Sequence, residues 1–226
     1  MIQREFGFFG TFEGGEGSGK TSVVAEVAER LRMKGISVVT VREPGGTPIG
    51  DQIRDILDSF ENKEITPRTE VLLFQSSRSQ LVDQVIKPAL NRGEVVLSDR
   101  YADSTKIYQG AYGVFSRSEM QPIIEFATQG LKPDLTLLLD VDVEVGLGRR
   151  ARQGGVNRLD AYDHNFHEKV RRGYLQLADE DSGRWIVVDA NRKLNEVCAE
   201  AQSIVENRLI RGGFIEKPRT GRERSF

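Results

Sequence analysis

Gly14-Gly15-Glu16-Gly17-Ser18-Gly19-Lys20-Thr21 has the spacing G-x-x-x-x-G-K-[ST] of a phosphate-binding loop. The apolar, aromatic run 6–12 before it reads as a buried strand. Thr21 opens a helical pattern of Val23, Val24, Val27, Ala28 and Leu31. Strand, glycine loop and helix are the order this motif requires. Glycines let successive backbone N–H groups point at one anion without Cβ clashes. The helix starting near Gly19 adds its positive dipole end. All eight residues are therefore assigned to a nucleotide's phosphates, with Lys20 reaching the β- and γ-phosphates and the Thr21 hydroxyl on Mg²⁺. From average residue usage, a chain of this length matches by chance on the order of one time in a hundred.

Around the loop, 226 residues suit one α/β domain or two small ones and can bury a sizeable core. With 32 basic and 34 acidic residues the formal net charge is -2, so no global field favours nucleic acid or a membrane surface. The single cysteine, Cys198, excludes an internal disulfide framework and fits a reducing cytosol. It lies in a helical pattern, which favours a buried structural thiol. No run approaches 18 apolar residues, and the N-terminus lacks a signal-peptide layout, so a cytoplasmic protein without a membrane span is expected.

Short apolar runs recur at 6–12, 36–41, 95–98, 135–139 and 185–188. Continuous apolarity suggests strands covered on both faces, and intervening helices suggest a parallel sheet with right-handed crossovers. The expected fold is α/β: a three-layer α/β/α P-loop NTPase with a five-stranded parallel sheet. Ligands of such sheets gather at the carboxyl ends of strands. The glycine loop, 42–47, 99–101 and 140–142 all follow strand ends. Helices are expected over 48–57, 66–90 with Pro88 kinking the last turn, 116–130 behind a Ser116/Glu119 capping box, 143–152, 165–179 and 193–209. Gly35 is an expected left-handed stop for the first helix. From Arg211 to Phe226 the chain reads as a mobile tail.

The loop says nucleoside triphosphate without saying what becomes of it. A GTPase would need N-K-x-D. The nearest string, Asn62-Lys63-Glu64-Ile65, lacks the aspartate and follows no strand. Other strings carry more. Thr40-Val41-Arg42-Glu43-Pro44-Gly45-Gly46-Thr47, Phe74-Gln75-Ser76-Ser77-Arg78 and Ser98-Asp99-Arg100-Tyr101 occur in that order after the loop. Together they resemble the thymidylate kinase family over residues 6 to 205. The resemblance implies ATP-dependent phosphorylation of dTMP to dTDP, with ATP and Mg²⁺, in a homodimer that binds no nucleic acid. It also implies a kinase domain over 1–210 with a lid at about 149–163. Two alternatives stay open: a kinase for another nucleoside monophosphate, and a non-enzymatic ATP-binding module.

The residues fit the resemblance physically. Phe74 and Arg78, four apart on one helix, share a face where ring and guanidinium can stack on a base and donate to its carbonyl. The alternative is a core Phe beside a solvated Arg. In the family the matching pair stacks on thymine and reads O4. Arg42 and Arg100 follow two strands at one sheet edge and suit a monophosphate dianion through bidentate bonds. Asp99 ends an apolar strand, where it can orient Mg²⁺, polarise the attacking oxygen or cap a helix. The resemblance places Glu16 on the deoxyribose 3′-hydroxyl and Thr105 and Gln109 against base and sugar. Arg149, Arg150, Arg152 and Arg158 resemble a lid over the donor. Gly17 matches members whose lid supplies the catalytic arginine, which points to Arg150 or Arg152. Lys20 and Asp99 complete the expected catalytic set. His164 and His167, three apart without a third ligand, are expected on the surface.

Overall fold

A computed structural model describes residues 7–111, 113–153 and 163–216 of the chain. Five strands form one sheet: β1 (Phe8–Glu13), β2 (Val38–Arg42), β3 (Val95–Asp99), β4 (Leu135–Asp140) and β5 (Trp185–Asp189). Every ladder is parallel and the order is β2-β3-β1-β4-β5. β1 is central and buried along all six residues. The chain leaves it by α1 (Lys20–Met33) toward one edge and later returns to add β4 and β5 on the other side. The carboxyl end of β1 is thus where the winding direction changes, the usual place for a ligand crevice.

Alternation along β1 sends its side chains into two cores. Phe8 and Phe12 pack with Val23, Val27 and Leu31 of α1 and with Val197, Ala201 and Val205 of α9 (Leu194–Arg211). Phe9 packs on the opposite face with Leu81, Val82 and Ile86 and edge-on against Tyr101. Leu138, Ile107, Val170, Tyr174 and Trp185 form a third cluster on that second face. Glu13 has the same parity as Phe9 and Thr11, so it also points toward the second face. Buried Cys198 belongs to the first core, as a structural thiol should.

All five expected strands form, and each runs one residue past its apolar run. The added residues are Glu13, Arg42, Asp99, Asp140 and Asp189. Apolarity marks only the part covered on both faces, whereas the ladder continues to the sheet edge. The second helix, α2 (Pro48–Asp58), starts at the expected proline, capped by Thr47 accepting the Gly50 N–H at 2.9 Å. The long helix differs from expectation. It is α3 (Pro67–Leu81), then a π-turn at Val82–Ile86, then α4 (Lys87–Asn91). The disturbance from Pro88, which has no N–H to donate, is taken up by a widened turn ahead of it.

A helix without an expectation, α5 (Ala102–Ala111), follows β3. Its buried side chains include Asp103, Ser104, Thr105 and Gln109, so hydrophobic periodicity was a poor guide. α6 (Arg117–Thr128) carries the expected capping box, with Glu119 N–H on Ser116 Oγ at 3.3 Å and Ser116 N–H on Glu119 Oε2 at 2.8 Å. α7 (Val143–Gln153) and α8 (His164–Glu180) complete the set among the described residues. His167 corrects the surface expectation. It lies one turn before Val170 and two before Tyr174 on the inner stripe of α8, and it is buried, while His164 is exposed. α9 runs through Arg211, and Phe214 packs edge-on against Phe8, so the first residues of the expected tail lie on the core; 217–226 fall outside the described residues. No described helix is long and apolar enough to cross a membrane.

The capping box predicts that Ser116→Ala costs about 1 kcal/mol. For a chain of this size thermal unfolding should show a fall of about 2–4 °C in Tm.

Candidate functional site

The glycine loop joins β1 to α1 with Gly14, Gly17 and Gly19 at positive φ. Gly19 precedes the helix in the left-handed region and offers no side-chain cap, so the first-turn N–H groups of α1 stay open toward the cleft. Lys20 folds back over the loop, donating to the Gly14 and Gly15 carbonyls at 3.1 and 2.8 Å and to Ser18 Oγ at 3.1 Å. Burial, aided by Arg100, brings its pKa down to about 8 against the pull of Glu16, Asp99 and Glu13. The Thr21 hydroxyl donates to Asp99 Oδ2 at 2.5 Å, which brings the two expected metal-holding oxygens together.

Gly17 also faces α7. A Cβ added at Gly17 would lie 1.9 Å from the Gly146 carbonyl oxygen, and one added at Gly146 would lie 2.3 Å from the Glu16 carbonyl oxygen. Two backbones are in direct contact, so α7 is seated on the phosphate loop. Only hydrogen side chains fit on both sides.

A cleft of about 270 Å³ opens across the sheet edge from this loop, near the lower end of the ~300–1,000 Å³ range of small-molecule sites. It is lined by Glu16, Gly17, Gly19, Lys20, Thr21 and Asp99 on one side. Arg42, Phe74, Arg78, Arg100, Thr105 and Gln109 line the other. Arg42 is more than half exposed, with its Nη2 3.8 Å from Asp51 Oδ1. The turn after it contains a cis Glu43–Pro44 bond and is held by Gly45 N–H on Ser77 Oγ and Gly46 N–H on Asp51 Oδ1, both 3.0 Å. Phe74 is half-buried with its ring on the cleft.

Arg78 is only 1% exposed and is neither a solvated arginine nor a loose one. Its Nε donates to Glu43 Oε2 at 2.7 Å. Nη1 donates to Gln75 Oε1 and Thr105 Oγ1, and Nη2 to the Tyr101 carbonyl. Every guanidinium nitrogen already meets a protein oxygen. Thr105 accepts from both Arg78 and Gln75, which leaves its own hydroxyl hydrogen for the cleft. Gln109 donates to Glu70 Oε1 at 3.0 Å. The partner Glu43 is buried too, and that burial raises its pKa against the opposing pull of Arg78.

Arg100 has φ 71, a left-handed backbone that is uncommon outside glycine. It bridges the two sides. Nη2 donates to Glu16 Oε1 at 2.6 Å and Tyr108 Oη at 3.0 Å, and Nη1 reaches Gly14 O, Ser104 Oγ and Tyr174 Oη at 3.3–3.4 Å. Burial would raise the Glu16 carboxyl, but Arg100, Lys20 and the Tyr108 hydroxyl hold it down to about 2. Glu13 behaves oppositely. Burial and nearby Asp103 push its carboxyl up to about 7, even though Ser104, Arg100 and Tyr174 favour its charge.

The basic stretch divides. Arg149 donates to the carbonyls of Ala190, Asn191 and Arg192, which pins α7 to the loop after β5. Arg150 lines the cleft. Arg152 donates to the Gly148 carbonyl of its own helix, and Arg158 lies outside the described residues.

Every residue expected on the phosphates, the acceptor or the metal therefore borders one crevice or the loop at its rim, and of the described lid arginines only Arg150 does. Sequence reasoning missed Glu13, Glu43, Tyr108 and Tyr174. Glu13 and Glu43 carried a usable signal, an acid just after an apolar run. Tyr108 and Tyr174 had none, since only the folding of α5 and α8 onto one face brings them to Arg100. Chemically, the arrangement can hold two anions facing each other: one on backbone amides and Lys20, one on guanidiniums.

The seat of α7 on the loop predicts that Gly146→Ala weakens nucleotide binding. Overpacking costs about 1–3 kcal/mol, so the affinity for ATP should fall about tenfold or more. Calorimetric titration checks it, and an unchanged Kd would show that the contact is irrelevant to the loop.

Comparison with known proteins agrees with this geometry. A family model described as thymidylate kinase matches residues 12–201. A thymidylate kinase of Deinococcus radiodurans is 47% identical over 203 residues, covering 89% of this chain and 98% of that protein. Those of Caulobacter vibrioides and Halalkalibacterium halodurans are 42% and 43% identical, each covering 90% of this chain and 98% of the relative. A crevice with facing anion-binding groups, on a parallel sheet wound in this order and matched over nearly its whole length, makes the chain a member of the thymidylate kinase family.

Proposed function

We propose that this chain transfers the γ-phosphoryl group of ATP to dTMP, giving ADP and dTDP. The observation that carries this is the facing pair of anion sites in one cleft: the loop amides with Lys20, and Arg42 with Arg100 in front of the Phe74 ring. ATP lies with its phosphates on residues 14–21. An oxygen of the dTMP phosphate attacks the γ-phosphorus in line, that P–O bond forms, and the bond to the β,γ-bridging oxygen breaks. The attacking group is already an anion, so no general base is needed. What the protein supplies is position and compensating charge.

Roles follow from placement. Lys20 exchanges its loop carbonyls for phosphate oxygens. Arg42 and Arg100 grip the acceptor's phosphate through bidentate bonds. Phe74 stacks on thymine. The base carbonyl meets the floor made by Arg78 and Thr105, where the spare Thr105 hydroxyl hydrogen, or one N–H released by Arg78, donates to it. Glu16 takes the sugar 3′-hydroxyl, and Gln109 borders the sugar and base. The paired Thr21 and Asp99 oxygens are hard donors that fit Mg²⁺. Bound there, Mg²⁺ would neutralise charge on the donor phosphates. Of the two candidate lid arginines, Arg150 in the last turn of α7 lines the cleft, which supports assigning it to the transferred group.

The same reading covers organisation: a kinase domain over 1–210, acting in the cytoplasm without nucleic acid or membrane partners, as a homodimer. Leu72 on α3 and Phe126 on α6 are 50% and 84% exposed. These two helices pack together, so a second copy would cover an apolar surface.

A coupled assay across monophosphates tests the activity. dTMP should be preferred over dCMP, GMP and AMP, and preference for any of those three would refute it. Phe74→Ala should raise the KM for dTMP by about ten- to a hundredfold, since stacking on a base is worth about 1–3 kcal/mol. KM for ATP should not move. Arg78→Ala is a poorer probe, because it strands buried Glu43 and should cost about 3–5 kcal/mol of stability.

The two lid arginines separate in kcat. Arg150→Ala should lower it by about 10³-fold or more, as for arginines that meet the transferred phosphoryl. Arg152→Ala should stay near the parent. Single-turnover kinetics on both variants decides, and the reverse order would move the role to Arg152.

A further inference from the structure

Glu13, the last residue of β1, is fully buried and takes no part in the transfer described above. Its Oε1 accepts the Tyr101 N–H at 2.8 Å. Its Oε2 accepts the Ser104 hydroxyl at 2.6 Å and the Tyr174 hydroxyl at 2.8 Å. All three donors surround Arg100. Tyr101 follows it in the chain, and Ser104 Oγ and Tyr174 Oη are the oxygens that Arg100 Nη1 reaches. The Arg100 N–H itself bonds to the Phe12 carbonyl at 2.9 Å, one residue before Glu13. A non-glycine residue at φ 71 persists only when its surroundings over-determine it. The end of β1 supplies those surroundings.

We propose that Glu13 is a positioning residue for the acceptor site, whose carboxylate fixes the Arg100–Tyr101 turn and turns the Ser104 and Tyr174 lone pairs toward the Arg100 guanidinium. The inference deepens the reading above, since it rests on Arg100 gripping the acceptor's phosphate. Only the ionised carboxylate can accept from the amide and both hydroxyls together. A protonated Glu13 donates its own hydrogen to one hydroxyl and points that hydroxyl's lone pair away from Arg100.

The charge state changes in a useful range, because Glu13 titrates near 7. Asp103 of α5 favours the acid form. Arg100 in the turn and the Ser104 and Tyr174 hydroxyls favour the carboxylate, and Lys20 of α1 faces the same group. The folded value lies above the ordinary 4.5, so this group's contribution to stability is full below about pH 4.5 and lost as pH rises through about 7. The carboxylate is thus kept at the expense of stability, and a neutral isostere should not melt earlier above pH 7.

Glu13→Gln separates positioning from scaffolding. At pH 8 its KM for dTMP should rise about tenfold, the loss of an ionic hydrogen-bond network. Its KM for ATP should stay unchanged and its Tm should equal or exceed the parent's. Between pH 8 and 6 the parent's KM for dTMP should climb more than the variant's, because ionisation of the substrate phosphate affects both alike. Arg100→Ala should raise the KM for dTMP strongly, and adding Glu13→Gln to it should change little. If Arg100→Ala leaves that KM unaltered, the acceptor-grip reading fails and this inference fails with it. If Arg100→Ala acts but Glu13→Gln leaves the KM for dTMP alone, or raises both KM values with a lower Tm, only the positioning role is overturned. Should Glu13→Gln not fold, Tyr174→Phe combined with Ser104→Ala carries the same selective rise in KM for dTMP, and no rise there overturns the proposal.

Discussion

Burial of β1 on both faces and both edges is the constraint the molecule depends on. A strand enclosed by β3 and β4 and by helices above and below presents no side chain to solvent, so the cleft opens on the loop that follows its carboxyl end. The chemistry is therefore gathered there, and the neighbouring strands deliver theirs to the same edge. Arg42 ends β2, Asp99 ends β3 and Asp140 ends β4. The glycine loop then turns the backbone itself into a binding surface, which is why no bulky side chain is tolerated at Gly17 against Gly146.

Charge in the cleft is balanced by pairing, and the pairs have two kinds of job. Arg78 with Glu43 and Arg171 with Asp140 are bonded within the protein. They brace α3 against the turn after β2 and α8 against β4. Arg42 and Arg100 differ. Arg42 has one long contact to Asp51, and Arg100 shares several longer bonds with hydroxyls and a carbonyl besides its short one to Glu16. Arg42 can exchange its one long contact for a phosphate at small cost, and Arg100 its longer bonds, whereas Arg78, with every guanidinium nitrogen bonded and Glu43 buried beside it, gives up a partner only at larger cost. Glu13 sits behind this arrangement as an acceptor for the turn that bears Arg100.

Much of this was legible in the chain. The loop, the five apolar runs and the Ser116/Glu119 capping box are local signals, and local geometry honours them. α5 was not legible. Its inner face is Asp103, Ser104, Thr105 and Gln109, so burial there follows hydrogen bonding instead of apolarity. The saturation of Arg78 was hidden for a similar reason. Gln75 lies one turn away on its own helix, but Glu43 after β2 and Tyr101 with Thr105 at the start of α5 are distant in sequence, and no spacing rule links those to Arg78. His167 shows the converse error, a polar residue judged by type where helix phase decided.

The most direct measurement of the two-site cleft is a crystal structure with dTMP and ADP joined through a phosphate chain as one bisubstrate molecule. One end should lie on the amides of residues 14–21. The other should place its acceptor phosphate on Arg42 and Arg100 and its thymine ring against Phe74. An acceptor half bound elsewhere, with Arg100 still closed on Glu16 and no ring contact at Phe74, would contradict it.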